Sequence, residues 1–195
     1  MPLDEYRRKR DFGATPEPAP GELVERSGRF TIQRHRATAL HYDTRLEIDG
    51  VLVSWAIPKG PSLDPGERRL AMRTEDHPIE YLDFEGIIPS GQYGAGDVIV
   101  WDWGHWEPEA ETADPARALR DGEIKFVLHG EKVRGRFTII RTDRRGQAED
   151  GRERWLLIKK RDGTAVAGWD AEDHPRSAKT GRTNDEVRAR TAPRF

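Results

Sequence analysis

Read as a β-strand, the stretch LHYDTRLEIDG from Leu40 to Gly50 carries His41, Asp43 and Arg45 on one face. Successive strand side chains alternate, so same-face neighbours recur about every 7 Å. The other face, with Tyr42, Thr44, Leu46 and Ile48, is mostly apolar. Histidine and aspartate bind metals and arginine binds phosphate, so this row is a chemical toolkit. The preceding run, Arg29 to His35, alternates Thr31, Gln33 and His35 with Phe30 and Ile32. If the five residues Arg36 to Leu40 close an antiparallel hairpin, His35 faces His41, Gln33 faces Asp43 and Thr31 faces Arg45. Two imidazoles and a carboxylate suit a divalent first-row metal with open positions for substrate or water. The same pattern also describes a solvated hairpin face whose histidines do nothing.

A second stretch, Glu75 to Gly96, supplies His77 and Tyr81 at a strand exit and then a glycine-rich turn. Gly91, Gly94 and Gly96 precede a strand instead of opening a helix, so they read as turn residues and not as a dinucleotide fingerprint. His77 can donate to a phosphoryl oxygen or protonate a leaving group. Arg45 lies in the metal row and Arg69 begins the strand leading to His77, so both guanidinium forks could reach one pocket that suits tetrahedral phosphate. Lys59, in the turn from Ser54 to Ser62, is a weaker candidate of the same kind. In the run YRRKRDF, Tyr6 to Phe12, Arg10 and Asp11 together with the later Glu17 could fold back over a site.

These residues need a β scaffold to hold them. Runs of β-branched and aromatic residues at 51–58, 69–75, 96–103, 122–131, 132–141 and 154–160 are bounded by Gly, Pro or Asp. One convincing helix, Asp114 to Asp121, opens with aspartate and proline. The balance predicts a mainly β chain, a closed eight-stranded barrel with one or two short helices. Residues 1–27, broken by Pro16, Pro18 and Pro20, read as a flexible arm, 28–161 as the barrel, and 162–195 as a tail or linker with a short helix near Asn184 to Arg190. The chain has 195 residues, no cysteine, 35% charged residues and a formal net charge of -2. Thiolate metal sites are therefore excluded, and indiscriminate nucleic-acid coating is disfavoured. No apolar run approaches a membrane span or a signal peptide, so a cytoplasmic protein without membrane contact is expected.

Three motifs in order, HYDTRLEIDG, SWAIPKGPS and EDHPIEYLDFEGIIPSGQYGAG, resemble the 3'-phosphoesterase domain of bacterial DNA ligase D and its stand-alone relatives. The resemblance runs from YRRKRDF to RWLLIKK. It implies an eight-stranded barrel with a manganese-dependent site, Zn2+ or Co2+ being alternatives. The activity implied removes a terminal ribonucleoside from a primer strand to leave a 3'-phosphate, then removes that phosphate to leave a 3'-hydroxyl during double-strand break repair. Carried over by motif, His35, His41 and Asp43 look like metal ligands, Arg45, Arg69, His77 and Tyr81 like phosphate and transition-state contacts, and Gln33 like a supporting residue. Arg10, Asp11 and Glu17 match arm positions tied more to the diesterase step. Thr44 stands where relatives often have an aromatic residue. The partners implied are DNA or RNA/DNA primer-template 3' ends, with ligase, polymerase and Ku components of end joining, and the protein itself is expected to be a monomer.

Two other readings use the same residues differently. A non-haem iron oxygenase would combine His41 and Asp43 with His105 or His129 on a β-barrel. A non-catalytic barrel would bind single strands with its six tryptophans as stacking platforms.

Overall fold

In the computed structural model of the protein, the described residues are 3–21, 28–142 and 152–190. The β-branched and aromatic runs form β1 (Arg29–Arg36), β2 (Leu40–Ile48), β3 (Val51–Ile57), β4 (Arg68–Arg73), β5 (Gly86–Ile88), β6 (Gly96–Pro108), β7 (Glu123–Gly130), β8 (Arg134–Arg141) and β9 (Arg154–Lys159). Pairing runs β1-β2-β3-β4-β9-β8-β7-β6 and closes through β6 onto β1, an eight-stranded antiparallel barrel with β5 added along β6. The expected fold class is the one found.

β6 is longer than its apolar run suggests, because it borders β1 along its length while β5 takes one end and β7 the other. Its register against β1 shifts between Ile32 and Gln33, a bulge that bends the wall. At Gly96, with φ 152°, a Cβ would lie 2.1 Å from the Arg36 carbonyl oxygen, so only glycine lets β6 close on β1 there.

Alternation divides the β1–β2–β3 wall into two faces. Phe30, Ile32, Tyr42, Leu46, Val53 and Trp55 point into the main core with Trp101, Phe126, Phe137 and Trp155. The indoles of Trp55, Trp101 and Trp155 are almost wholly buried, and each contributes roughly 3–5 kcal/mol as an upper bound. Thr44 shares this face: it is buried beside Trp55 on β3, its hydroxyl lacks a partner among the described residues, and it bears on packing. The other face carries the polar row and, beside it, a smaller apolar cluster of Leu52, Ile88, Val98, Tyr81 and Phe84.

Two non-barrel segments pack on this frame. The N-terminal arm forms a short helix, α1 (Asp4–Arg8), whose Tyr6 is fully buried in the smaller cluster. α2 (Pro115–Asp121) starts on an Asp114 side chain that accepts from the Arg117 amide and stops at Gly122 in the left-handed region. The described part of the C-terminal segment, 162–190, lies against β1 and β6, with Ala171 and Val187 in the main core. It includes α3 (Asn184–Arg188), opened by a capping box between Thr183 and Glu186. No described helix is long and apolar enough to cross a membrane.

Candidate active site

The hairpin register puts His35 opposite His41, Gln33 opposite Asp43 and Thr31 opposite Arg45. The connection is tighter than expected: Arg36 pairs with Leu40, leaving residues 37–39 as the loop. One ligand atom from each of His35, His41 and Asp43 lies within 4.8 Å of the others. His35 Nε2 is 2.8 Å from the Gly94 carbonyl and His41 Nδ1 is 2.9 Å from the Ala39 carbonyl. A carbonyl oxygen only accepts, so those nitrogens carry the protons. The lone pairs are then on His35 Nδ1 and His41 Nε2, which sit 3.4 and 3.6 Å from the Asp43 carboxylate. Lone pairs and a carboxylate converging this closely repel unless a cation lies among them, so the donor set fits a divalent metal.

The charges agree. Burial, the largest influence on Asp43, favours its neutral form, but the Arg45 guanidinium and the two imidazoles outweigh it and hold the carboxyl well below its usual range. Burial likewise opposes a proton on His41, yet the contact with Asp43 prevails and raises its pKa.

Arg45, buried at 2% exposure, is fixed from every side. Its Nε donates to Gln33 Oε1 at 2.8 Å, Nη1 to Ser54 Oγ at 2.9 Å, and Nη2 lies 3.1 Å from Asp43. Gln33 spends its amide protons on the Tyr81 and Phe84 carbonyls, tying the Ile79–Asp83 turn to the same wall. His77 sits between two guanidiniums: Nδ1 is 2.9 Å from Arg45 Nη1 and Nε2 is 3.2 Å from Arg10 Nη2. Nδ1 is also 2.9 Å from the Glu75 carbonyl, so a neutral ring that donates there accepts from Arg10 at Nε2, while Arg45 Nη1 gives its proton to Ser54 and not to the ring. Burial, then Arg45 and Arg10, press the His77 pKa well below its ordinary value. These surroundings favour the neutral imidazole over the protonated one that a leaving-group role would use.

The arm does fold back over this site. Arg10 Nε pairs with Glu17 at 2.8 Å and its Nη1 with Glu75 at 3.1 Å, and all three side chains are almost wholly buried. Tyr81 donates to Glu17 at 3.0 Å, and burial followed by the Glu17 charge holds its phenol pKa well above the usual value. Glu75, although burial favours the neutral acid, stays ionised through its own backbone amide, Arg10 and Lys9. Together these groups line a cavity of about 750 Å³ shared by the metal trio, Arg45, His77, Tyr81, Arg10 and Glu17.

Three expected residues lie elsewhere. Arg69 shares the face of Ala71 on β4 and pairs with Leu157 on β9, both core residues, and it does not line the cavity. Arg73, at the rim of the same strand, lines the cavity, and its Nη1 donates to the Ser54 carbonyl at 3.1 Å. Lys59 is exposed in its turn beyond Pro58, which does line the cavity. Asp11 is exposed and its carboxylate accepts the Gly13 amide at 3.0 Å, shaping the arm's turn. Sequence reasoning missed Ser54, Glu75, Lys9 and Tyr93. Glu75 was legible two residues before His77, and Ser54 as the β3 partner of Arg45.

The rival readings lose their geometry. His105 and His129 face each other across β6 and β7 and line a separate groove, and the trio at 35, 41 and 43 is the one metal-ligating cluster among the described residues. Trp55, Trp101, Trp106 and Trp155 are buried, which removes most of the proposed stacking surface.

The comparisons agree with this geometry. Residues 33–141 match the family described as the DNA Ligase D 3'-phosphoesterase domain. The chain is 53% identical over 167 residues to a "Multifunctional non-homologous end joining protein LigD" of Pseudomonas aeruginosa, covering 84% of this chain and 19% of that protein. It is 51% identical over 145 residues to the Mycolicibacterium smegmatis protein of the same name, covering 72% and 19%. With the Mycobacterium tuberculosis "Multifunctional non-homologous end joining DNA repair protein LigD" it shares 50% identity over 143 residues, covering 72% and 18%. The chain thus spans about a fifth of the length of the curated relatives it matches.

Proposed function

The chain belongs to the DNA ligase D 3'-phosphoesterase family, and from that premise we propose that it heals DNA 3' ends for non-homologous end joining. It removes a 3'-terminal ribonucleoside to leave a 3'-phosphate and then hydrolyses that phosphate to a 3'-hydroxyl. The observation that carries this reading is the joining, in one cavity, of a three-donor metal cluster and a buried guanidinium fixed by Gln33, Ser54 and Asp43.

His35 through Nδ1, His41 through Nε2 and Asp43 would hold a divalent ion, with manganese the expected one. When bound, that ion supplies Lewis acidity toward a phosphoryl oxygen. Arg45, already oriented by Gln33, Ser54 and Asp43, offsets charge on the phosphoryl oxygens at no cost of reorganisation. His77 works as a neutral imidazole that keeps Arg10 and Arg45 on either side of it. Tyr81 and Glu17 hold Arg10 in turn, so the arm brings a second guanidinium to the phosphate. Ligase, polymerase and Ku components are the machinery beside which such an activity serves end joining.

The test is a primer-template ending in a 3'-ribonucleotide or a 3'-phosphate, incubated with manganese or with a chelator and resolved by gel mobility. The expected result is a 3'-phosphate intermediate followed by a 3'-hydroxyl product, both lost on chelation. Undiminished product after thorough chelation, or none with manganese, overturns the reading.

A further inference from the structure

An apolar side chain exposed singly on a surface needs no explanation, but one that lines a binding cavity can touch what binds there. Among the described residues, the exposed large hydrophobics are Leu70, Val166 and Tyr93, and of these Tyr93, at 50% exposure, lines the cavity. Its position is fixed from two directions. The turn that bears it closes through the Gln92 amide on the Pro89 carbonyl and the Ala95 amide on the Gln92 carbonyl, both 3.1 Å, with Gly91 and Gly94 in the left-handed region. Gly94, the next residue, gives its carbonyl to His35, and a Cβ there would already touch the same imidazole at 3.5 Å. The ring is thus one peptide unit from a backbone group that holds a metal-ligand candidate. From the arm, Lys9 Nζ lies 4.6 Å from the ring centroid and 3.3 Å from the hydroxyl, while the Arg10 guanidinium lies 5.6 Å from the centroid.

We propose that Tyr93 is the stacking platform for the base of the substrate's terminal nucleoside, an inference that rests on the end-healing reading above. A nucleoside joined to a phosphoryl group held by the trio and Arg45 would lie in the cavity that Tyr93 also lines. A tyrosine ring offers a broad, rigid surface with two side-chain torsions to order, and the cations over it favour an electron-rich face. Every base has a π face, so stacking recognises a nucleoside without reading its identity, as an enzyme acting on ends of any sequence requires. Leu70 and Val166, away from the cavity, have no comparable partner.

The experiment uses the full chain, primers ending in a 3'-ribonucleotide or in a base-less ribose, and a third primer carrying fluorescent 2-aminopurine as its terminal base. With wild-type protein the 2-aminopurine signal is quenched on binding and the base-bearing end has a KM about tenfold lower than the base-less one. Tyr93→Leu loses the quenching and raises KM for the base-bearing end to that of the base-less end, with hydrolysis of the base-less end unchanged. Tyr93→Phe, which keeps the ring and loses only the hydroxyl's hydrogen bond from Lys9, behaves as wild type. Equal losses on both ends in Tyr93→Leu, or Tyr93→Phe as defective as Tyr93→Leu, overturn the platform and make the residue a clasp for the arm. Wild-type hydrolysis of both ends keeps the end-healing reading whatever Tyr93 does, and its absence overturns both.

Discussion

The two segments outside the barrel are both rich in charge, yet they use opposite faces of one strand. From β1, Gln33 and His35 point to the cavity, where the arm's Arg10 and Glu17 meet them through Arg45, Tyr81 and His77. Arg34 and Arg36 point the other way and pin the C-terminal segment: Arg34 to Glu172 and Asn184, both at 2.7 Å, and Arg36, itself held to Asp97 of β6 at 2.8 Å, to Asp185 at 2.6 Å. No residue of 162–190 lines the cavity. Similar polar chemistry therefore serves two ends: on the cavity side it stores cations where a phosphate would arrive, and on the far side it fastens chain to barrel. The distinction yields a ranking of mutational effects.

The deepest damage belongs to Asp43→Ala. This carboxylate faces both imidazoles and Arg45, and it is buried at 7% exposure. Its loss lowers both the diesterase and the monoesterase steps by on the order of 10³-fold. It also leaves Arg45 buried without its counter-charge, at a cost to stability of about 3 kcal/mol. Steady-state rates on both substrates and thermal unfolding of the metal-free protein check this. Retention of either step would mean that the trio is not the shared centre.

Arg10→Ala comes next and separates the steps. We expect the diesterase step to fall roughly 30-fold and the monoesterase step to change less than about threefold, since Arg10 reaches His77 from the arm while Arg45 remains in place. Equal losses on the two substrates, measured on one preparation, would erase the division between arm and wall.

How far these sites were legible follows from local order. Strand alternation alone placed His35, His41, Asp43 and Arg45 together, because the side-chain period of a strand is fixed and the hairpin supplies its own register. It misplaced Arg69 because a strand's parity cannot be read from its first residue when its partner strand, β9, is remote in sequence. The arm's Arg10 and Glu17 reached the site as expected, but Glu75, which joins Arg10 to Lys9, went unseen. The packing of 162–190 was hidden for a further reason: it depends on hydrogen bonds such as the Ala178 amide to the Val100 carbonyl and on few apolar side chains, so it has no periodicity to read.

His77 gives a pH signature to the cavity side. Its folded pKa lies well below the ordinary 6.5 through burial, then Arg45 and Arg10. Below pH 6.5 the unfolded chain binds a proton that the folded one refuses, so its contribution is complete above that pH and is lost as pH falls toward the folded value. In the metal-free protein this amounts to at most roughly 1.4 kcal/mol per pH unit, opposed in sign by His41, whose raised pKa favours the folded state on acidification. The difference in unfolding free energy between wild type and His77→Gln, followed from pH 7 to 5, should therefore shift against the wild type. A flat difference would mean that His77 takes up its proton equally in the folded and unfolded chain.

The smallest effect is expected at Glu172→Gln on the far side. Glu172 is half exposed and receives Arg34 and the Tyr42 hydroxyl. Solvent screens such a pair, so the loss is at most about 1 kcal/mol, or a Tm lower by roughly 2 °C. Tyr42 lies on the core face of β2, between His41 and Asp43 in sequence but on the opposite side of the wall. If the two faces of β1 and β2 are independent, both hydrolytic steps in this variant stay within about twofold of wild type. A larger loss of activity at an unchanged Tm would show that the C-terminal segment sets the positions of His41 and Asp43 through the strand they share with Tyr42, and the far side would then have to be counted as part of the site.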